Sequence, residues 1–322
     1  SASLNIGARR LTALQQLVDK RWNRKGAAPA DTVKPLNYVP QLYAYSWVSK
    51  EQAGRFFHSL SATPKKTVIY ITGKNIWSVP NNEDPAIVSK WLGREVGWWW
   101  NYPCNDNDMD KLFVSDMYAN FHDEKHIDND AKVTDSLGVK TLISNPMQQG
   151  AASKIALFSI GDYAWNNAAF DVRKSFEAAV PAVVGKQYAE AYLTVCPYLR
   201  HYDYDSPWPT LEQMRKLAAA CKKLGELAKS DNEGARLFYD DIEPWLTKVN
   251  DMADCAIILL TKDSQTKEAV SRAVENVEKM DTDKKYDVEI LNGMGKDIKI
   301  GSTQAKPAER VLLPMLKKLA GK

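Results

Sequence analysis

A ten-residue stretch gathers side chains that could do chemistry together: Gly97-Trp98-Trp99-Trp100-Asn101-Tyr102-Pro103-Cys104-Asn105-Asp106. Three tryptophans precede an asparagine, and an aspartate follows five residues after it. An indole face can pack on the apolar face of a pyranose ring, while a carboxamide and a carboxylate fix its hydroxyls. That combination suits a sugar. The same letters also fit an ordinary core, with tryptophans buried in a strand and Asp106 capping the next helix. On this stretch alone both readings stand. Metal chemistry is not indicated: Cys104, Cys196, Cys221 and Cys255 lie far apart, none in a C-x-x-C pair, and the four histidines show no ligand spacing with them. No cofactor motif is present either.

The elements that must position these residues follow from hydrophobic pattern. Gly97 to Tyr102 is aromatic and bounded by turn formers, which predicts a short buried strand ending in a polar loop. Upstream, Ala8 to Trp22 places Leu11, Leu14, Leu17 and Val18 on one helical face. Leu36 to Tyr43 reads as a strand, Glu51 to Leu60 as a helix, and the β-branched run Thr67 to Thr72 as a strand buried on both faces. Asp84-Pro85 opens a helix that continues through Val88 and Leu92. Val139 to Ser144 is the next expected strand. Met147 to Trp165 fits strand or helix, and Asp171 to Val180 and Lys186 to Tyr198 are helical. This alternation predicts an α/β fold of parallel βαβ units.

After Pro207 the texture changes. Thr210 and Gln213 form a capping box before a helix over Leu211 to Leu227. Leu237 to Leu260, Lys267 to Met280 and Pro307 to Leu319 are further amphipathic segments, and only Tyr286 to Leu291 reads as a strand. The expectation is a helical bundle over 207–322 following an α/β domain over 1–206. A hydrophobic content of 44% supports a large core, and a net charge of +3, spread along the chain, implies no nucleic-acid or membrane partner. No run is apolar enough to span a bilayer. Ser1 to Arg10 carries no apolar signal core, and the scattered cysteines leave the redox compartment open.

Several strand-end motifs carry a resemblance. W-W-N-Y-P-x-x-D from Trp99 to Asp106 resembles the signature of glycoside hydrolase family 84, the β-N-acetylglucosaminidases that include O-GlcNAcases and proteins called hyaluronidases. Val39-Pro40-Gln41-Leu42-Tyr43 resembles that family's C-P-T-x-Y strand end, and Ile71-Thr72-Gly73 its W-T-G. Asn145-Pro146-Met147, Ser153-Lys154-Ile155-Ala156 and Asp162-Tyr163-Ala164-Trp165-Asn166 resemble its N-P-M, S-K-I-A and S-Y-A-W-N, in the same order with similar gaps. The resemblance implies the second half of a (β/α)8 barrel followed by the family's helical domain, and it favours a helix for Met147 to Trp165.

Family members hydrolyse β-linked N-acetylglucosamine with help from the substrate's own acetamido group, through an oxazoline. Two adjacent aspartates in a motif resembling F-x-D-D-I orient that group and transfer protons. The motif should precede the helix Ala8 to Trp22, yet Ser1 to Arg10 holds no acid, so the pair is expected to lie off this chain. Phe238-Tyr239-Asp240-Asp241-Ile242 copies the letters, but it follows the tryptophan motif and is expected between helices, its acids preceding a Pro-initiated helix. By resemblance Tyr43 bonds the acetamido oxygen, Trp99 walls the acetyl methyl, and Thr72 lines the pocket. Asn101 faces the reacting side, and Asp106 and Asn166 bind hydroxyls. Singly, each also fits a core, turn or cap residue. Cys104 stands where a Val is usual, and Asn107 replaces an aromatic at the pocket rim.

The expected ligands are N-acetylglucosamine-containing glycans or glycoproteins. The expected protein partner is the missing half-barrel or a second copy of the chain. Bacterial members favour a secreted or periplasmic location. The competing expectation is an inactive sugar-binding or interaction relative of the family, and the isolated chain is expected to be inactive in either case.

Overall fold

The computed structural model describes residues 2–22, 35–106, 108–122, 127, 130–200, 207–292 and 298–321. The chain falls into two compact units. The first comprises Ser1–Asn101, Asp130–Asn145 and Asn166–Ala169, and the second Tyr102–Asn129, Pro146–Trp165 and Phe170–Lys322.

In the first unit, strands β1 (Asn37–Tyr38), β2 (Val68–Ile71), β3 (Gly97–Trp100) and β4 (Leu142–Ser144) form one sheet in sequence order. All neighbours are parallel, with Tyr38 opposite Ile69, Ile71 opposite Trp98, and Trp99 opposite Ile143. Parallel neighbours need crossovers, and helices α1 (Ala2–Trp22), α2 (Lys50–Leu60) and α3 (Glu83–Leu92) belong to the same unit. Ser49 and Gln52 form a capping box that starts α2. Gly93, left-handed at φ 76°, ends α3. Leu11, Phe57, Leu60, Ile69, Ile71, Val88, Leu92 and Val96 form one buried cluster. This is four parallel strands of a half-barrel, as expected.

Two details differ from the sequence reading. The expected strand Leu36 to Tyr43 pairs only over Asn37–Tyr38. Pro40 has no N–H to give a ladder, and pairing resumes at an isolated Ala44–Gly73 bridge. In α1, Leu11 is buried but Leu14 and Leu17 are exposed. The buried face runs instead through Ala8, Leu11 and Gln15. The Gln15 Oε1 accepts the Leu36 N–H at 2.9 Å and the Thr67 hydroxyl at 3.2 Å, so a strand-end backbone group turns the helix.

β3 approaches its neighbours closely. A Cβ at Gly97 would lie 2.5 Å from the Tyr70 ring and 2.6 Å from the Thr141 hydroxyl. Only glycine fits there.

The second unit holds α4 (Met117–His122), α5 (Lys154–Trp165), α6 (Val172–Val184), α7 (Ala189–Leu199), α8 (Leu211–Gly225), α9 (Glu233–Leu260), α10 (Lys267–Lys279) and α11 (Leu312–Leu319). It also holds an antiparallel hairpin of β5 (Asp287–Asn292) and β6 (Lys299–Gln304). The expected strand Tyr286 to Leu291 thus has a partner. α9 packs against α8, α10 and α11. Its Phe238, Ile242, Trp245, Val249, Met252, Ala256 and Leu259 are buried at steps of three and four residues. The Thr210–Gln213 capping box starts α8. Among the described residues no helix is long and apolar enough to cross a membrane.

Phe238 to Ile242 does not lie between helices, as the sequence suggested. It lies inside the 28-residue α9, with Pro244 also within the helix. Asp240 is exposed, while Asp241 accepts the backbone N–H groups of Ala151 and Ala152 at 2.6 and 2.9 Å. Burial pushes the Asp241 carboxyl up, and those two amides partly offset it. The N–H groups belong to the turn that leads into α5, so Asp241 meets donors a helix start leaves over.

Candidate functional site

Side chains alternate along a strand. In β3 this sends Trp98 and Trp100 to one face, where both are buried, and Trp99 and Asn101 to the other, where both are half-buried. The Trp99 indole N–H donates to Asn101 Oδ1 at 2.7 Å. Asn145, just past β4, donates its side-chain N–H to the same oxygen at 3.0 Å. Its backbone N–H bonds the Trp100 carbonyl at 2.8 Å. Asn101 Nδ2 donates to the Ile76 carbonyl at 3.1 Å in the loop after β2. Three of the four hydrogen-bonding positions of the Asn101 amide are therefore filled, and its orientation is fixed.

The other strand ends reach the same carboxyl edge of the sheet. Thr72 is buried, and its hydroxyl donates to the Asn75 carbonyl at 3.0 Å. Its N–H bonds the Tyr43 carbonyl at 3.1 Å. The half-buried Tyr43 ring meets Trp47 edge-on, with centroids 4.8 Å apart and planes at 66°. Trp47 is 48% exposed, so an aromatic surface is available beside Tyr43.

Of the residues singled out in sequence, Tyr43, Thr72, Trp99 and Asn101 stand along this edge of the first unit. Asp106 is exposed in the second unit, in a turn where the Asp108 N–H bonds the Asn105 carbonyl. Asn166 is exposed just past α5, and its carbonyl accepts the Ala169 N–H at 3.2 Å. Asn107 lies outside the described residues. Asn145 had no role in the sequence reading, though its N-P-M motif marked the place. Among the described residues no three His, Cys, Asp or Glu gather as metal ligands would.

Comparison with known proteins bears on the family and the fold. A family model described as beta-N-acetylglucosaminidase matches residues 6–196. The chain is similar to a solved structure named CpGH84D, at 20% identity and a TM-score of 0.68, over 99% of this chain and 53% of that one. It is similar to CpGH84B at 19% identity and a TM-score of 0.63, over 97% and 55% of the two chains. A mutant O-GlcNAc hydrolase from Thermobaculum terrenum matches at 19% identity and a TM-score of 0.58, over 85% and 59%. The chain thus spans just over half the length of these structures. With the family model covering more than half of its residues and the half-barrel fold shared, the chain belongs to the beta-N-acetylglucosaminidase family, glycoside hydrolase family 84.

Proposed function

We propose that this chain supplies the sugar-holding wall of a retaining β-N-acetylglucosaminidase that releases terminal β-linked N-acetylglucosamine through an oxazoline. The observation that carries the reading is the amide cluster in which Trp99 and Asn145 both donate to Asn101. An amide held this firmly leaves one N–H of fixed direction beside a half-buried indole, which suits a pyranose with an acetamido arm. In this reading Trp99 walls the acetyl methyl, Tyr43 bonds the acetamido oxygen, and Asn101 faces the reacting centre. Thr72 supports the pocket from behind, since its hydroxyl is already bonded to Asn75. Asn145 joins the site through Asn101. Asp106 and Asn166 keep the hydroxyl-binding roles that family resemblance gives them.

Proton transfer is assigned to a carboxylate pair outside these 322 residues. In this reading Asp240 and Asp241 are structural, a part supported by the two backbone amides that Asp241 accepts. Titration with N-acetylglucosamine tests the reading, followed through the Trp99 indole N–H and the side-chain amides of Asn101 and Asn145. These signals should move with N-acetylglucosamine and stay in place with glucose, which lacks the acetamido arm. An equal response to both sugars, or to neither, overturns it.

A further inference from the structure

Asp84, in the first turn of α3, is only 6% exposed. Its Oδ1 accepts the Tyr45 hydroxyl at 2.5 Å. Its Oδ2 accepts the Lys74 backbone N–H at 2.9 Å and the Asn81 side-chain amide at 3.2 Å. The Asn81 Oδ1 accepts the Asp84 N–H at 2.9 Å in return. A buried carboxylate is costly unless donors surround it, and here they come from three separate segments. Helix-dipole stabilisation does not account for this burial, because the neighbouring Glu83 is exposed and also lies in the first turn.

The segments held are those behind the sugar wall. Tyr45 follows Tyr43 by two residues, and Lys74 follows Thr72 by two. The two strand ends are also joined by Tyr45 N–H to Gly73 carbonyl at 3.3 Å and Ser46 N–H to Lys74 carbonyl at 3.1 Å. From Lys74 the loop runs on to Asn75, which accepts the Thr72 hydroxyl, and to Ile76, which accepts the Asn101 amide. Gly73 sits at φ +100°, and a Cβ there would lie 2.7 Å from Asp84 Oδ2. The loop closes directly onto the carboxylate. The Tyr45 ring packs edge-on against Trp91 at 5.7 Å.

We infer that Asp84 is a positioning residue for the sugar pocket, acting through Tyr45 and the loop 73–76 on Tyr43, Thr72 and the Asn101 amide. The inference takes its ligand from the function proposed above. It gives the β2–α3 loop one anchor at Asp84 and another at Asn101, so freeing either end disturbs the other.

Two measurements on the full chain test it, with Val88→Ala as the control. Val88 is fully buried in the same helix but makes none of these bonds. In sugar-free protein, Asp84→Ala should speed amide exchange at Thr72 and Lys74 and move the Asn101 side-chain amide signal, whereas Val88→Ala should not. With N-acetylglucosamine, Asp84→Ala should lose affinity about tenfold, as supporting residues around a site commonly do. Asp84→Asn, which keeps one acceptor oxygen, should recover part of that loss. Val88→Ala should stay within about twofold, since hydrophobic truncation acts on stability. Should Asp84→Ala fail to fold, Tyr45→Phe removes one bond and keeps the packing, and should weaken affinity about threefold. An unmoved Asn101 signal in Asp84→Ala or Tyr45→Phe, or matching effects in Val88→Ala, overturns the inference. If the unaltered chain binds no sugar, the pocket reading falls and the sugar-free measurement alone decides the role of Asp84.

Discussion

The side-chain amide of Asn145 donates to Asn101 Oδ1 at 3.0 Å, tying the end of β4 to the end of β3 by side chains as well as by backbone. Asn101 thereby accepts from two directions, because Trp99 reaches the same oxygen from within its own strand. Asn145→Ala should weaken N-acetylglucosamine binding about tenfold, the effect of leaving a polar partner unmet. Asn145→Asp should be worse, since it sets a carboxylate against Asn101 Oδ1 and drives that amide to flip away from the Trp99 N–H. Calorimetric titration of the two variants checks the order.

Gly97→Ala should destabilise the first unit without removing any ligand contact. The new methyl would stand 2.5 Å from the Tyr70 ring, and overpacking of this kind costs about 1–3 kcal/mol. Urea unfolding measures the loss, and a shift of the Asn101 side-chain amide should accompany it because β3 must move.

Asp240 and Asp241 should separate cleanly. Asp240→Ala should change stability by less than about 0.5 kcal/mol, as exposed sites usually do. Asp241→Ala strips an acceptor from Ala151 and Ala152 and should cost about 1–3 kcal/mol. In protein that hydrolyses an aryl β-N-acetylglucosaminide, replacing Asp240 by Asn should leave turnover unchanged. A loss of turnover with Asp240→Asn at unaltered stability would relocate the catalytic pair to α9.

Lys248 gives a pH dependence of known sign. It is 1% exposed, its ammonium 2.9 Å from the Ala305 carbonyl and 3.5 Å from Asp281. It also sits over the Tyr286 ring. Burial pulls its pKa below the ordinary lysine value of 10.5, against the raising effect of Asp281. Between the lowered value and 10.5 the unfolded chain therefore holds more protons at this position than the folded one. This group's contribution to stability should rise with pH through that window. Burial and Asp251 push Tyr286 up, so its contribution falls above the ordinary tyrosine range. The difference between the chain and Lys248→Met, measured by denaturant unfolding from pH 8 to about 10, isolates the lysine.

Much of the half-barrel is legible in the letters. Gly97 to Trp100 announces a buried strand by composition, and Thr67 to Thr72 by β-branching, and both pair in parallel as expected. What pattern misses is set by polar groups meeting across the chain. Gln15 turns α1 so that Leu14 and Leu17 face outward, and no periodicity reveals its bonds to Leu36 and Thr67. α5 begins only at Lys154, since the preceding turn is held by Asp241 and by the Ser153 hydroxyl bonded to the Met147 N–H. Tyr43, Thr72, Trp99 and Asn101 were readable as strand ends. The parts of Asn145 and Asp84 depend on contacts 44 and 39 residues away in sequence.

The Asp241 contact bears on how the polypeptide could be divided. Asp241 holds residues before Pro207 from a helix that lies after it, and it does not act alone. The Trp245 indole N–H donates to the Asp110 carbonyl at 2.8 Å, and Lys306 pairs with the Asp110 carboxylate at 3.0 Å. Gln148 bonds the backbone of Glu289 and Leu291 in the hairpin. A proteolytic or engineered cut in the Pro-rich approach to α8 would therefore not free a detachable module. The two fragments should stay together as a nicked complex under native conditions, separating only when the second unit melts.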